Sequence, residues 1–321
     1  MRAIQITENG GPEVLNVVDL PTPEPKPGEV VVEVGAAGVN YIDTYHRGGV
    51  YKVDLPMVLG LEGAGRVTAV GDGVTDLAVG DRVAWTNTPG SYAEQVAVPA
   101  EETVPVPDAV DDVSAVGALL QGMTAWVLVN TTYPVQAGDD VLVHAAAGGV
   151  GLLLTQLATG RGARVIATVS TAEKEELARA AGAADVLRYS DDLARQVRDL
   201  TDGVGVAVAY DGVGKSTFDA SMDSLRRRGM LVLFGAASGP VPPVDPQRLN
   251  AGGSLYLTRP TLFHHISSRE ELLATAAAVY TEVAEGRLDV RIGHRYGLDE
   301  ARTAHEDLQA RRTTGKLVLI P

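Results

Sequence analysis

The sequence predicts an α/β protein in which a doubly wound parallel sheet is inserted in a β-rich domain. Three observations predict it. Residues 144–151 read HAAAGGVG between an apolar run and a helical pattern. From 163 to 234, short apolar segments alternate with helical ones, the pattern of a parallel sheet covered on both faces. The first hundred residues, by contrast, are short β-like pieces between turns rich in Gly, Pro and Asp.

Taken in order, strands are expected at 14–18, 29–34, 65–70, 82–85 and 92–98, with Pro21–Pro27 (PTPEPKP) as an extended connector. Residues 111–129 turn helical and bridge into the inserted part. Val141-Leu142-Val143 is a buried strand, followed by the glycine turn and a helix carrying Leu152-Leu153-Leu154 and Leu157. The run 141–158 is apolar enough to suggest a membrane span, but His144, Gln156 and three glycines argue against one. Strands at 163–169, 185–187, 206–209 and 230–234 then alternate with helices at 172–181, 193–200 and 217–227. Residues 270–285 form a helix, and 316–320 (KLVLI) a strand whose partners the β-rich part must supply. The expected division is 1–124 with 261–321 for the β-rich domain and 125–260 for the insert.

Composition narrows the function classes. The chain has 321 residues, 45% of them apolar, enough for real cores. Its net charge of −14 disfavours broad contact with nucleic acid or anionic membrane. Cysteine is absent, which removes disulfides, thiolate metal ligands and a thiol nucleophile. The first residues, MRAIQITE, lack the apolar core of a signal peptide, and a cytoplasmic protein is expected.

The glycine turn carries the first chemistry. The leading N–H groups of a helix have no internal partners and attract phosphate. A Walker loop would need Gly-Lys-Ser/Thr, and no lysine lies near. The dinucleotide pattern GxGxxG fits with one change, Ala146, Gly148 and Gly151 holding its three slots. Gly148 lets a pyrophosphate approach the backbone, Gly149 and Val150 open the helix, and Gly151 lets it pack on its strand.

From end to end the chain resembles the quinone oxidoreductase (zeta-crystallin) family of the medium-chain dehydrogenase/reductases. The matching pieces are GGPEVL, GVNYIDTYHRGGVY, GLEGAGRV, GDRV, LLQGMTAW, HAAAGGVG, YDGVG, FGAASG, LTRP and TGKLVLIP. The resemblance implies a GroES-like catalytic domain, a Rossmann domain, a cleft between them that holds the substrate, and a homodimer paired through Rossmann edge strands.

The second strand of the insert ends in Thr168, Val169, Ser170 and Thr171, without the carboxylate that grips an NAD ribose. Ser170, Lys174 and Tyr189 suit a 2′-phosphate instead, as in similar family members, so NADPH is expected over NADH. Glu173 could reach the ribose, yet its place in a first helical turn also suits the helix dipole. The resemblance further carries cofactor-lining roles onto Asn40, Ile42, Thr124, Gly212, Phe234, Gly235 and Ser238, and more loosely onto Arg259 and Arg311.

Related zinc enzymes carry Gly-His-Glu where this chain has Gly60-Leu61-Glu62. His46, His144, His264, His265, His294 and His305 show no spaced metal pair, and no metal is expected. Without a Lewis acid, alcohol oxidation is difficult, while reduction of an electron-poor quinone needs none. Asn40, with an amide able to donate, and Tyr45 and Tyr51, with hydroxyls and ring faces, are the candidate substrate positioners. Plain packing beneath the Gly48-Gly49 turn is the competing role for both tyrosines. Glu62 is read as structural. The expected function is a zinc-independent NADPH-dependent quinone oxidoreductase; the alternatives are an NADPH-dependent reductase of α,β-unsaturated aldehydes or ketones, and an NADPH-binding protein without turnover.

Overall fold

The computed structural model describes residues 1–321. It divides into two units, Met1–Met123 with Ile266–Pro321, and Thr124–His265. The sequence-based boundaries differ by one residue at the first junction and five at the second. Residues 261–265 stay with the inserted unit, where Leu262–His264 make a 3-10 turn and the His265 ring lies 3.4 Å from the Thr131 hydroxyl.

The inserted unit is a six-stranded parallel sheet: Asp140–Val143, Arg164–Val169, Asp185–Arg188, Val206–Asp211, Leu225–Leu233 and Tyr256–Thr258. Numbered 1 to 6 along the chain, these strands lie in the order 3-2-1-4-5-6. Val206–Asp211 is buried at every position, as a central strand with both faces covered must be. Leu142, Ile166, Ala209 and Leu231 of the sheet pack against Leu193, Val197, Phe218 and Met222 of its helices. The chain direction of growth reverses between Asp140–Val143 and Val206–Asp211, which pair directly. Ligands of such sheets bind beyond the strand ends at this point. The helix expected over 217–227 stops at Asp223, and the strand begins at Leu225 rather than 230. Leu225 keeps helical spacing from Met222 yet pairs with Val206; the next registered pair is Met230 with Val208, so the residues between form a bulge with Arg228 at φ 59°.

The other unit has a seven-stranded sheet whose path runs Ile292–Gly297, Lys316–Ile320, Glu29–Val39, Glu62–Val70, Arg82–Trp85, Val104–Pro105, with Gln95–Pro99 also on Glu29–Val39. Lys316–Ile320 lies antiparallel to Glu29–Val39 and parallel to Ile292–Gly297. Val30, Val32, Val39, Trp85, Tyr92, Leu317 and Leu319 belong to one core. Sequence patterning missed Ile292–Gly297 and the helices Tyr41–Arg47 and Ala301–Gln309, all short and polar. The helical run 112–132 is long and apolar enough to cross a bilayer, but two-thirds of it is buried, as in a core helix.

The helix Tyr41–Arg47, which carries Ile42 and Tyr45, is anchored by a buried polar chain. The Asp43 carboxylate accepts the Asn40 N–H (2.8 Å) and the Tyr92 hydroxyl (3.0 Å) on one oxygen. The Tyr92 oxygen lies 3.2 Å from His305 Nε2, and the Arg47 guanidinium reaches His305 Nδ1 at 2.9 Å and Gln309 at 2.8 Å. Arginine only donates, so Nδ1 accepts and Nε2 carries the hydrogen. Burial, opposed by these hydrogen bonds, pushes Asp43 up to about 7. Burial, with Arg47 beside it, pulls His305 down to about 3.

These two groups act on stability with opposite signs. The native state holds the Asp43 proton that the unfolded chain releases from about pH 4, so its contribution is full below that pH and lost by about 7. His305 stays neutral in the native state while the unfolded chain takes up a proton below about 6.5, so stability falls as pH drops from 6.5 towards 3. Relative to the parent, His305→Gln should therefore make stability fall more steeply with rising pH between 4.5 and 6, and Asp43→Asn should make it rise. Each change is at most about 1.4 kcal/mol per pH unit. Urea unfolding across this range measures both; parallel curves for all three proteins would refute the assignment.

Candidate active site

The sequence-predicted residues fall in both units. In the β-rich unit, Asn40 follows the Glu29–Val39 strand and starts the Tyr41–Arg47 helix. It is 5% exposed, and its amide faces inward. Asn40 Nδ2 donates to Glu62 Oε2 at 2.8 Å, while Asn40 Oδ1 accepts from Lys316 Nζ at 2.8 Å and from Gln121 Nε2 at 3.2 Å. An ammonium cannot accept and a carboxylate cannot donate, which fixes the orientation of the amide. Lys316 also donates to Glu62 Oε2, and Glu62 Oε1 takes the Leu120 N–H at 2.7 Å. Lys316 and Glu62 are 1% and 0% exposed. The cluster fits because Gly38 has no side chain; a Cβ there would stand 2.8 Å from Lys316 Nζ.

This arrangement gives the Asn40 amide partners within the fold. Its carbonyl oxygen and one amide hydrogen are held within the fold, and the remaining N–H faces the Gly38 carbonyl at 3.4 Å. Glu62 is buried against Lys316, a residue to which sequence reading gave no role. The signal for Lys316 was a cation opening an otherwise apolar strand, KLVLI.

Tyr45 and Tyr51 come together edge to face, ring centroids 5.8 Å apart, and Tyr51 is 44% exposed, next in sequence to exposed Val50. His46 packs against the same Tyr51 ring at 5.9 Å. Tyr51 thus presents an open aromatic surface backed by two rings. Ile42 is half-buried on the same helix, and Arg311 is exposed after the Ala301–Gln309 helix.

In the inserted unit, the glycine turn stands at the carboxyl end of Asp140–Val143 and leads into the helix Gly149–Gly160. Gly148 N–H closes on the Ala145 carbonyl at 2.9 Å. Gly149, Val150 and Gly151 are the first three helical residues, whose N–H groups have no intrahelical acceptor. A Cβ on Gly151 would collide with the Ala145 carbonyl and stand 2.8 Å from Ala146 Cα, so only glycine lets the helix meet the turn. These residues fit a pyrophosphate. Ser170 is exposed just past Arg164–Val169, and Lys174 is half-buried in the first turn of Ala172–Ala180. Glu173 is exposed there too. Tyr189 is exposed, and its hydroxyl accepts the Ala145 N–H at 2.8 Å. Thr124 opens the unit within Asp112–Val127.

Beyond the next two strands, Gly212, Phe234 and Gly235 line the carboxyl edge, half-buried. Ser238 ties these loops together, accepting the Ser216 N–H at 3.0 Å and donating to the Val213 carbonyl at 2.7 Å. Arg259 donates to the Leu233 and Gly235 carbonyls at 2.9 and 3.3 Å. Under this edge lies a buried polar group that sequence reading missed. Asp211 accepts the Val213 and Gly214 N–H groups and the Thr217 and Ser221 hydroxyls, all within 3.0 Å. Ser221 lies 2.9 Å from His144 Nε2, and the Thr168 hydroxyl 2.9 Å from His144 Nδ1. Four elements around the glycine turn are thereby locked together.

No group of three or more His, Asp or Glu side chains is arranged to hold a metal ion. Removing Lys316 alone would leave the Glu62 carboxylate buried without a counter-ion. Lys316→Met should cost about 3–5 kcal/mol of stability, and Lys316→Met with Glu62→Gln should recover much of it. Urea unfolding of the two variants decides; equal losses would mean that charge is not what the cluster balances.

A family model described as an alcohol dehydrogenase GroES-like domain matches residues 26–108, and one described as a zinc-binding dehydrogenase matches 149–279. The chain is 46% identical to the quinone oxidoreductase of Pseudomonas aeruginosa, covering all of this chain and 99% of that protein. It is 41% identical to the 2-haloacrylate reductase of a Burkholderia species, over 99% of this chain and 98% of that one. Among solved structures, that of a mycobacterial protein complexed with NADPH superimposes with a TM-score of 0.98 at 54% identity, covering both chains entirely. With a glycine turn at the switch point of one unit, a GroES-like sheet in the other, and full-length relatives at these identities, the chain belongs to the quinone oxidoreductase family of the medium-chain dehydrogenase/reductases.

Proposed function

We infer that this chain is an NADPH-dependent quinone oxidoreductase. The carrying observation is the glycine turn, with Gly151 against the Ala145 carbonyl, in a chain that matches a quinone oxidoreductase and an NADPH complex over its full length. NADPH, when bound, supplies the reducing electrons. The chain's own part is to hold and orient. The amides of Gly149, Val150 and Gly151, with Gly148 allowing close approach, receive the pyrophosphate. Ser170 and Lys174 meet the 2′-phosphate by a hydroxyl and a charge-assisted contact. Gly212, Phe234, Gly235, Ser238 and Arg259 form the edge along which the rest of the cofactor lies, and Ile42, Thr124 and Arg311 add contacts.

Tyr45 and Tyr51 position the quinone, offering ring faces and hydroxyls. Asn40 acts indirectly, by holding the start of the helix that carries Tyr45. An activated acceptor needs little more than this placement. A homodimer joined through the edge strand Tyr256–Thr258, where Tyr256 is 57% exposed, and a cytoplasmic location complete the proposal. The likeness to a 2-haloacrylate reductase favours one second reading, reduction of an activated carbon–carbon double bond.

Two measurements test these roles. Lys174→Ala should raise the Michaelis constant for NADPH about 10- to 150-fold and leave that for NADH nearly unchanged; equal losses would make Lys174 a fold residue. With quinones as acceptors, turnover should rank with reduction potential, and Tyr45→Phe or Tyr51→Phe should slow it only a few-fold, roughly the loss of one hydroxyl. A double-bond reductase must protonate carbon, so losing its donor should cost about 10²–10⁴-fold. Faster turnover of a simple alkenone than of every quinone, collapsing on either substitution, would favour the second reading.

A further inference from the structure

Tyr189 closes on the glycine turn from the end of the Asp185–Arg188 strand. Its hydroxyl oxygen accepts the Ala145 N–H at 2.8 Å, and its ring lies nearly parallel to that of His144, centroids 6.0 Å apart and planes 13° apart. His144 is a fixed backing: it is 1% exposed, with one ring nitrogen at the Thr168 hydroxyl and the other at Ser221, which Asp211 holds in turn. Ala145 has φ 49°, a left-handed backbone that a residue with a side chain adopts only at a cost. Its carbonyl receives Gly148 N–H and abuts Gly151. The placement of the helix-leading amides therefore follows from the conformation of Ala145.

We propose that Tyr189 is a positioning residue for the dinucleotide turn: its hydroxyl braces Ala145 in the left-handed conformation and so fixes the amides that receive the pyrophosphate. The proposal rests on the assignment of this turn to NADPH. It gives Tyr189 a different role from a 2′-phosphate contact. A phosphate contact acts on NADPH alone, whereas a brace under the turn acts on NADPH and NADH alike, because both carry the same pyrophosphate.

Tyr189→Phe keeps the ring on His144 and removes one hydroxyl. Calorimetric titration should show the dissociation constants for NADPH and NADH raised by the same factor, roughly three- to tenfold. Glycine adopts the left-handed backbone without a brace, so Ala145→Gly combined with Tyr189→Phe should bind both cofactors within about twofold of Ala145→Gly alone. Weakening confined to NADPH, unchanged affinity for both, or no recovery in the glycine background each overturns the proposal. A lowered melting temperature with unchanged dissociation constants overturns it as well, since the hydroxyl would then serve only the fold. If the parent protein binds neither cofactor, it is the NADPH assignment that fails instead.

Discussion

An ammonium and a carboxylate, both shut away from water, set the geometry of the β-rich unit. Lys316 and Glu62 would each be costly to bury alone, and each is tolerated because the other is there. Their placement fixes more than themselves. Gly38 must be a glycine, the Asn40 amide can point only one way, and Gln121 and the Leu120 N–H bring in the Asp112–Val127 helix. Three strands and a helix thus meet at one charge pair, and the helix bearing Tyr45 starts from it.

The inserted unit reaches a similar end without an ion pair. Asp211 is buried and saturated by two amides and two hydroxyls, and His144 extends the network under the glycine turn. In both units an exposed segment rests on a buried, saturated polar group. Apolar packing alone leaves side chains free to slide among similar rotamers. A saturated polar cluster admits one arrangement, because any other leaves a donor or acceptor unpaired.

The sequence made the inserted unit legible nearly element by element, because long apolar strands and glycine turns are local signals. Lys316–Ile320 was legible as a strand, and its need for a partner pointed correctly to the β-rich part. What escaped was non-local. Nothing near Asn40 in the sequence says that a lysine 276 residues later will take its carbonyl oxygen. The helix Tyr41–Arg47 was hidden by its polar composition, and the 217–227 segment was misread because Leu225 suits both a helix face and a strand. Tyr45 and Tyr51 were singled out from the glycine-punctuated segment, where the structure pairs their rings.

The seating of Lys316–Ile320 between Glu29–Val39 and Ile292–Gly297 also bears on the order of events during synthesis. This strand leaves the ribosome after every residue of the Thr124–His265 unit, which contains its entire sheet within one continuous segment. The inserted unit can close while translation is still under way. The β-rich unit, although most of its strands are made before the insert, must wait with Ala37–Val39 unpaired on one side and Glu62 without its counter-ion until Lys316 arrives. Its nascent state therefore leaves that strand end unpaired while about 280 residues are made, tens of seconds at ordinary elongation rates. An open strand end is a template for pairing with another chain, so the delay is a window for misassembly.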